Sequence, residues 1–265
     1  MVGNSNLLPL LFDLFQNILC TVNLSLEGGA VFFAKQPSLM EVINDTNDFL
    51  MNFYSVVKTD FKSLEKLLQT TLCGRTLYRH AKVIYENPDM FDKVKRAWAV
   101  WYLANSSFGH KLDGGWRQAK GWTYATLITK QKDNAYKSAQ RLERVELENR
   151  DALKIIKSKD STSTFFYIDP PYVGSDLGHY DGYSQEDFNN LLEMLSTIQG
   201  KFLLSSYPNK VLQEYTERFN WSQSQIKLTL SMANRSDTPR YKTEVLTANY
   251  PLDDLEPTMT SDELF

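Results

Sequence analysis

Apolar and polar residues alternate with a changing period over the first 60 residues of the chain. Residues 18–26 are rich in apolar and β-branched side chains, which favours a strand, and the glycine pair Gly28-Gly29 follows them. Helical spacing appears later, where Phe49, Phe53 and Val56 share one face of a helix. The pattern predicts helices over 6–15, 30–35 and 47–57 and strands over 18–26 and 41–45. This order of strand, glycine turn, helix, strand and acid is typical of the opening βαβ unit of a Rossmann-like fold.

The alternation of strands and helices returns in the second half of the chain. It predicts strands over 145–148, 164–168, 202–204, 226–230 and 244–248 and helices over 152–157, 185–198 and 211–219. The middle instead predicts helices over 61–72, 90–104 and 130–142 and a β-hairpin or ordered loop within 106–128, around Asp113-Gly114-Gly115. We therefore expect an α/β protein with a Rossmann-like core, 1–59 and 144–265, interrupted by a mostly helical insertion, 60–143, that carries a β-hairpin.

The predicted insertion is also the basic part of an acidic chain. Between residues 62 and 144 there are 16 Lys and Arg against 7 Asp and Glu, whereas the whole chain has 29 against 32. A basic segment in an acidic frame indicates a surface that faces a polyanion. A solvated helical surface explains the same charges equally well.

Composition excludes several classes of protein. Two cysteines, Cys20 and Cys73, are too few for a disulfide scaffold or a four-cysteine zinc site, so we expect a reducing cytoplasm. The leucine-rich run 7–26 is interrupted by Pro9 and Asp13, and no Lys or Arg precedes residue 35. A signal peptide begins with basic residues, and a membrane span needs about 20 apolar residues. The run therefore predicts neither of these segments.

The most specific motif is Asp169-Pro170-Pro171-Tyr172, which follows an apolar run. Two prolines stiffen the chain where it leaves the predicted strand, because they fix φ and cannot extend a sheet. The motif therefore predicts a carboxylate, a carbonyl and an aromatic ring at the carboxyl edge of the sheet, where open α/β folds bind ligands. A carboxylate and a carbonyl that accept the two N–H bonds of an exocyclic amine would free its lone pair. The alternative is a rigid strand-exit turn.

Several segments of the chain resemble the Dam-like class of DNA N6-adenine methyltransferases, which use S-adenosylmethionine. The resemblance covers nearly the whole chain, and the order of cofactor loop, insertion and catalytic motif is that of the class. It implies a Rossmann-like S-adenosylmethionine-dependent methyltransferase core with the insertion as target-recognition region. The matching segments are 28–33, 42–47, 52–54, 151–153, 169–172 and 235–250, the last with Lys242, Glu244 and Asn249.

The resemblance also implies roles for individual residues. Asp45 would bind the ribose hydroxyls of the cofactor, although its place before a predicted helix also suits an N-cap. Asp151 is either an N-cap or a contact near the cofactor's adenine. The assigned residues are Asp169, Pro170, Pro171 and Tyr172 as catalytic and Gly28, Gly29, Asp45, Asp151 and Asp169 as cofactor-binding.

Double-stranded DNA is the partner that the resemblance implies, and the target base must leave the duplex to be reached. The candidate DNA-binding residues are Lys111, Arg117 and Lys120, interleaved with Trp116 and Trp122. Cations beside aromatic rings suit wedging and stacking at a disturbed base step. A Trp-rich hairpin is also an ordinary core element. We expect a monomeric, cytoplasmic enzyme, bacterial or phage-encoded, without a metal and without membrane association.

The match to the class fails in the first cofactor loop. The class has an acid, a proline and a phenylalanine before the glycines, where this chain has Asn23, Leu24 and Ser25. One choice of codons for residues 15–25, shifted by two bases, translates as Pro-Lys-His-Ser-Leu-Tyr-Cys-Glu-Pro-Phe, which restores the expected residues. We hypothesise a compensated local frameshift, and sequencing of the coding DNA tests it.

Two other functions stay open. The damaged loop suits a DNA-binding relic without turnover, which would keep salt-sensitive DNA binding but bind cofactor weakly. Related Pro-Pro-aromatic motifs, more often with Ser or Asn first, occur in methyltransferases for cytosine N4 or for a protein glutamine amide. The basic insertion favours nucleic acid over protein, and the methylated product separates adenine from cytosine.

Overall fold

The structure is a computed structural model, and it describes residues 18–24, 29–108, 112–117, 123–171, 183–229 and 241–252. These residues form two compact units, a helical unit of residues 45–149 and a sheet unit made of 18–44 and 150–252. The expected helix over 6–15 lies outside the described residues. The unit boundaries differ from the predicted insertion, 60–143, because the helix that begins at Asp48 packs against later helices of the helical unit.

The sheet unit contains six strands and four helices among its described residues. In chain order these are β1 (Cys20–Leu24), α1 (Ala30–Ala34), β2 (Met40–Asn44), α7 (Ala152–Lys159), β4 (Thr164–Ile168), α8 (Gln185–Leu195), β5 (Lys201–Ser206), α9 (Lys210–Phe219), β6 (Ser222–Thr229) and β7 (Tyr241–Ala248). The helical unit contains α2 (Asp48–Thr59), α3 (Phe61–Thr70), α4 (Arg75–Glu86), α5 (Lys93–Ser106), α6 (Thr123–Leu142) and β3 (Val145–Glu148).

The strands of the sheet unit lie in the order β2-β1-β4-β5-β7-β6. The first four are parallel, and β7 lies antiparallel between β5 and β6. The chain runs from β1 to β2 on one side and later adds β4 on the other side of β1. Such a reversal of strand order opens a crevice at the carboxyl ends of the strands. The α/β class that the sequence predicts is therefore confirmed.

Both faces of the sheet are covered, because alternate residues of each strand point to opposite sides. One face buries Val22, Phe166 and Phe202 in a cluster with side chains of α7, α8 and α9. The other face buries Phe165 and Tyr167 with Val31 of α1 and with residues of β5 and β7. Near-continuous apolar runs such as 165–168 follow from burial on both sides.

Asn249 fixes the start of β5 through its side chain. Its Oδ1 accepts a hydrogen bond from the Phe202 amide at 3.0 Å, and its Nδ2 donates to the Gly200 carbonyl at 2.9 Å. A Cβ at Gly200 would lie only 2.7 Å from the Thr164 carbonyl oxygen, so the chain passes β4 closely at this point. Asn249 belongs to the segment that resembles the family's closing strands, and the structure gives it a bracing role.

Helix α5 lies at the centre of the helical unit, packed against α2, α3 and α4. Every residue from Ala97 to Leu103 is buried, as expected for a helix with neighbours on all sides. The Trp98 and Tyr102 rings stack at 5.5 Å, and the Trp98 indole donates to Thr71 Oγ1 at 2.8 Å. Aromatic side chains of α5 therefore hold the segment between α3 and α4.

Two elements of the helical unit differ from the sequence predictions. Helix α4 is not among the predicted helices, and α6 begins at Thr123, inside the stretch expected to be hairpin or loop. The hairpin expectation holds in part, because Ser107 and Trp116 form an antiparallel bridge around Asp113-Gly114-Gly115. None of the helices in the described part of the chain is long and apolar enough to cross a membrane.

Candidate active site

Three parallel strands of the sheet unit, β1, β2 and β4, end at a common level. Leu24, the last residue of β1, pairs with Asn44 at the end of β2 and with Ile168 at the end of β4. The Asp169 amide then donates to the Leu24 carbonyl at 3.3 Å, which carries the pairing one residue beyond β4. Asp169 therefore lies at the carboxyl edge of the sheet, where the sequence predicts it.

The segment that leaves β4 combines burial with stiffness. Asp169 is 8% exposed, Pro170 is buried and Pro171 is half-buried. The two prolines fix φ at about −65° and have no N–H group, which stiffens the chain directly after Asp169. Tyr172, the fourth residue of the predicted motif, lies outside the described residues.

Gly29 begins the helix of the first loop in a conformation that favours glycine. Its φ of 66° and ψ of 25° are left-handed, and its carbonyl accepts the Phe33 amide at 2.9 Å. A Cβ at this φ would strain the backbone. The turn that the sequence predicts at the glycine pair is thus confirmed at Gly29, whereas Gly28 lies outside the described residues.

Asn23 is a polar side chain in the buried part of β1. It is 3% exposed, and neither Oδ1 nor Nδ2 has a hydrogen-bond partner among the described residues. Buried amide groups nearly always have partners, so the partner of this side chain is not among the described protein atoms. It occupies the position where the resemblance expects an acid.

A buried ion pair joins the end of α1 to β2. The Lys35 ammonium contacts the Glu41 carboxylate and also donates to the Gln36 carbonyl at 3.1 Å and to Ser38 Oγ at 3.3 Å. Ser38 Oγ in turn lies 2.5 Å from Thr21 Oγ1 of β1. These polar contacts fix the connection that leads from the first loop to β2.

Asn44 ties the end of β2 to the start of α7. Its Nδ2 donates to the Arg150 carbonyl at 2.9 Å, and its Oδ1 accepts the Arg150 amide at 2.9 Å. Asp151 follows as the N-cap of α7, and its Oδ1 accepts the Lys154 amide at 3.2 Å. Of the two roles considered for Asp151, the structure assigns the N-cap, and the cofactor contact stays a prediction.

Asp45 is fixed by backbone contacts within the helical unit. It is 1% exposed, its Oδ1 accepts the Asn47 amide at 2.8 Å, and its carbonyl accepts Asn149 Nδ2 at 2.8 Å. Burial, with a smaller effect of the Asp45 carboxylate, raises the pKa of Tyr54. The N-cap alternative for Asp45 is wrong, because Asn47 caps α2 by accepting the amides of residues 49 and 50.

Two of the candidate DNA-binding residues are described, and both belong to the segment 107–117. Trp116 is half-buried, with its ring centroid 5.4 Å from that of Tyr78. Arg117 is half-buried, and its amide donates to the Ser106 carbonyl at 2.9 Å. Lys111, Lys120 and Trp122 lie outside the described residues.

Sequence reasoning missed the exposed cations of α4, Arg75 and Arg79, because it did not predict this helix. The signal was present, since Leu77, Tyr78, Ala81 and Ile84 follow helical spacing. Within the described residues, no three His, Cys, Asp or Glu side chains are grouped so as to hold a metal ion.

Comparison with known proteins identifies the family. The model of the D12 class N6 adenine-specific DNA methyltransferases matches residues 3–235. A relative, the type II methyltransferase M1.LlaDCHI of Lactococcus lactis subsp. cremoris, is 24% identical over 249 residues, which covers 84% of each chain. A solved structure, the precorrin-6y C5,15-methyltransferase of Geobacter metallireducens GS-15, is 7% identical, with 93% of this chain and 89% of that chain covered and a TM-score of 0.41.

The matched residues include the first loop, the whole helical unit and the segment that leaves β4. They contain Asp169 at the carboxyl edge of the sheet and the left-handed Gly29 at the start of α1. With most of its length matched, the chain belongs to the D12 class N6 adenine-specific DNA methyltransferase family.

Proposed function

We propose that Asp169 and the Pro170 carbonyl hold the N6 amino group of an adenine that has been flipped out of double-stranded DNA. The proposal is carried by the position of Asp169, a buried carboxylate one residue beyond β4, followed by two prolines. Two acceptors at this edge match the two N–H donors of the amine. The Tyr172 ring stacks on the base in this proposal, as its place in the motif implies.

Holding the amine is the main task of these residues. In free adenine the N6 lone pair is delocalised into the ring. When both N–H bonds point at acceptors, the nitrogen becomes more tetrahedral and its lone pair becomes available. We also assign to Asp169 the proton that N6 loses when its bond to the methyl carbon forms and the bond from that carbon to the sulfonium sulfur breaks, which leaves a neutral thioether. No covalent intermediate on the protein is required, so neither Cys20 nor Cys73 takes part.

The family uses S-adenosylmethionine, which supplies an electrophilic methyl group on sulfonium. The described residues fit such a cofactor at two points in the sheet unit. Gly29 allows a close backbone approach at the first turn, and Asn23 offers two buried polar atoms without a described partner at the end of β1. We assign Asp45 to the ribose hydroxyls and Gly28 and Asp151 to further contacts, following the resemblance.

The experiment is methylation of DNA by the purified chain with S-adenosylmethionine, followed by mass spectrometry of the released nucleosides. We expect N6-methyladenine from the wild type and none above background from Asp169→Asn. Asp89→Asn is the matched control, since Asp89 is an exposed acid in the helical unit. Product in the form of 4-methylcytosine contradicts the adenine assignment, and full activity of Asp169→Asn contradicts the role of this carboxylate.

One observation favours a second function, DNA binding without turnover. Asn23 stands where the resemblance expects an acid, near the end of β1 and just before the first cofactor loop. Calorimetry with S-adenosylmethionine separates the two functions. Micromolar binding supports the enzyme, whereas absent cofactor binding together with salt-sensitive DNA binding supports the relic.

The setting of the enzyme is also part of the proposal. The two cysteines, Cys20 and Cys73, are not joined in a disulfide, which suits a reducing cytoplasm, in a bacterium or in a cell infected by a phage that encodes the protein. We propose that the protein acts as a monomer, since one chain supplies both the catalytic motif and the candidate DNA-binding segment.

A further inference from the structure

Helix α4 carries exposed arginines on a stretch of chain without acidic residues. Between Lys66 and Tyr85 there is no Asp or Glu. Arg75 and Arg79 are four residues apart, so they lie on the same face of α4, and both are exposed. The ion pairs within the described residues are Lys35–Glu41, Lys82–Glu86 and Lys95–Asp92, and neither arginine takes part in them.

The same helix holds the turn of the segment 107–117. Tyr78 is buried, and its hydroxyl donates to the Gly114 carbonyl. The Lys82 ammonium donates to the neighbouring Asp113 carbonyl at 3.2 Å. The Tyr78 ring also meets the Trp116 ring edge to face, at 5.4 Å between centroids and 69° between planes. Side chains of α4 therefore set the position of this turn.

Backbone hydrogen bonds also hold the turn around Asp113-Gly114-Gly115. The Phe108 amide donates to the Gly115 carbonyl at 2.7 Å, and the Arg117 amide donates to the Ser106 carbonyl at 2.9 Å. Because these bonds join the turn to the end of α5, Trp116 and Arg117 have a fixed position relative to α4.

The start of α4 is equally constrained. The Gly74 amide donates to the Tyr102 hydroxyl at 2.9 Å, and that hydroxyl is 3.2 Å from the Leu72 carbonyl oxygen. Arg75 follows directly. A ligand that binds Arg75 and Arg79 therefore has to order two side chains but no backbone, which limits the entropy lost on binding.

We propose that Arg75 and Arg79 bind phosphates of the DNA backbone, on a surface that they share with Trp116 and Arg117. The inference rests on the proposed function, because it takes DNA as the substrate of this chain. Guanidinium groups suit phosphate, since their planar donors bind two oxygens at once. Phosphate contacts fix the register of a protein on DNA and do not read its sequence. Tyr78 links α4 to the turn, through its bond to the Gly114 carbonyl and its ring contact with Trp116.

The test is the salt dependence of affinity for a short random-sequence duplex, measured by fluorescence anisotropy. Each phosphate contact contributes about −0.9 to the slope of log affinity against log salt concentration. We expect the slope of Arg75→Gln/Arg79→Gln to be less negative by about 2 than that of the wild type, with weaker binding at low salt. Arg75→Lys/Arg79→Lys, which keeps both charges, should retain the slope.

The matched control removes two exposed lysines of the sheet unit. Lys157→Gln/Lys210→Gln changes the net charge by the same amount, and we expect it to keep the wild-type slope. An unchanged slope for Arg75→Gln/Arg79→Gln, or an equal loss in the control, contradicts the inference while the proposed function stands. A wild-type chain that methylates no DNA and binds it without salt dependence overturns the proposed function, and this inference with it.

Discussion

The Lys35 ammonium and the Glu41 carboxylate pair within the sheet unit with side chains that are only 2% and 4% exposed. Removal of one partner from a buried pair leaves an uncompensated charge, which costs far more than the pair itself contributes. We expect Lys35→Met to lower the free energy of unfolding by about 3–5 kcal/mol. Urea denaturation of Lys35→Met, Glu41→Leu and the double variant measures the effect.

The stability of the double variant, compared with that of the two single variants, shows whether the two side chains interact. Because it buries no charge, we expect Lys35→Met/Glu41→Leu to regain most of the stability that Lys35→Met loses. Strict additivity of the two single losses would show that the two side chains do not interact.

The left-handed conformation of Gly29 gives a second prediction about stability. Its left-handed φ of 66° opposes a Cβ, so we expect Gly29→Ala to destabilise the protein by about 1–2 kcal/mol. Gly29→Asn should lose less, since asparagine tolerates this region. Gly115→Ala is the control, because no atom lies within 4 Å of the added Cβ. An equal loss at both glycines, measured by thermal unfolding, would contradict the conformational explanation.

Replacement of Asn23 is expected to raise the stability of the protein instead of lowering it. Leucine has nearly the shape of asparagine and carries no polar atoms, so Asn23→Leu removes two buried atoms without described partners. We expect the cofactor-free protein to gain about 1 kcal/mol in unfolding free energy. Thr21→Val is the control on the same strand, and it should lose stability because the Thr21 hydroxyl bonds Ser38. A loss of stability in Asn23→Leu would show that the amide has a partner.

The hydrogen bonds at the start of α8 predict that the stability of the protein depends on pH. The Asp187 carboxylate accepts the Ser184 amide at 2.8 Å and the Ser184 hydroxyl at 2.7 Å, and the amide bond is the main cause that lowers the pKa of Asp187. Because the pKa of Asp187 is lower in the folded protein than in the unfolded chain, its ionised carboxylate stabilises the fold. This contribution is complete at pH values above the unfolded pKa, and it is lost as the pH falls through the folded pKa. The stability difference between wild type and Asp187→Asn should therefore be full at neutral pH and shrink below about pH 4.

Denaturation over a range of pH tests this prediction. Glu193→Gln is the control, because Glu193 is exposed on the same helix and its side chain makes no capping bond. A difference between Asp187→Asn and wild type that persists unchanged at pH 3 would show that ionisation of Asp187 is not its cause.

The sequence predicts the sheet unit well because its strands are apolar on both faces. The run 164–168 appears in the structure with the predicted bounds, and the acid that follows it lies at the sheet edge. The role of Asp45 is harder to predict, since Asp and Asn are both good N-caps. Only the backbone shows which of the two side chains accepts the hydrogen bonds of the first helical amides. Here Asn47 receives them, and the Asp45 carboxylate accepts the Asn47 amide instead.

Helix α4 was missed for a different physical reason. Arg75 to Glu86 contains threonine, valine, isoleucine and two tyrosines, which have low helix propensity, and the glycine before it suggests a loop. Tertiary contacts override that preference, because Tyr78, Ala81 and Ile84 are buried. No local pattern in the sequence foretells the bonds of Tyr78 and Lys82 to the turn at 113–114, which is 31 or more residues away.

The complete burial of α5 from Ala97 to Leu103 has a consequence for how new target preferences can arise. A helix in contact with neighbours all round admits few side-chain exchanges without loss of packing. The exposed positions of α3 and α4, such as Lys62, Lys66, Arg75 and Arg79, carry no such restriction. Under the proposal that α4 contacts DNA, variants selected for altered site choice should therefore carry their changes at such exposed positions and leave α5 unchanged.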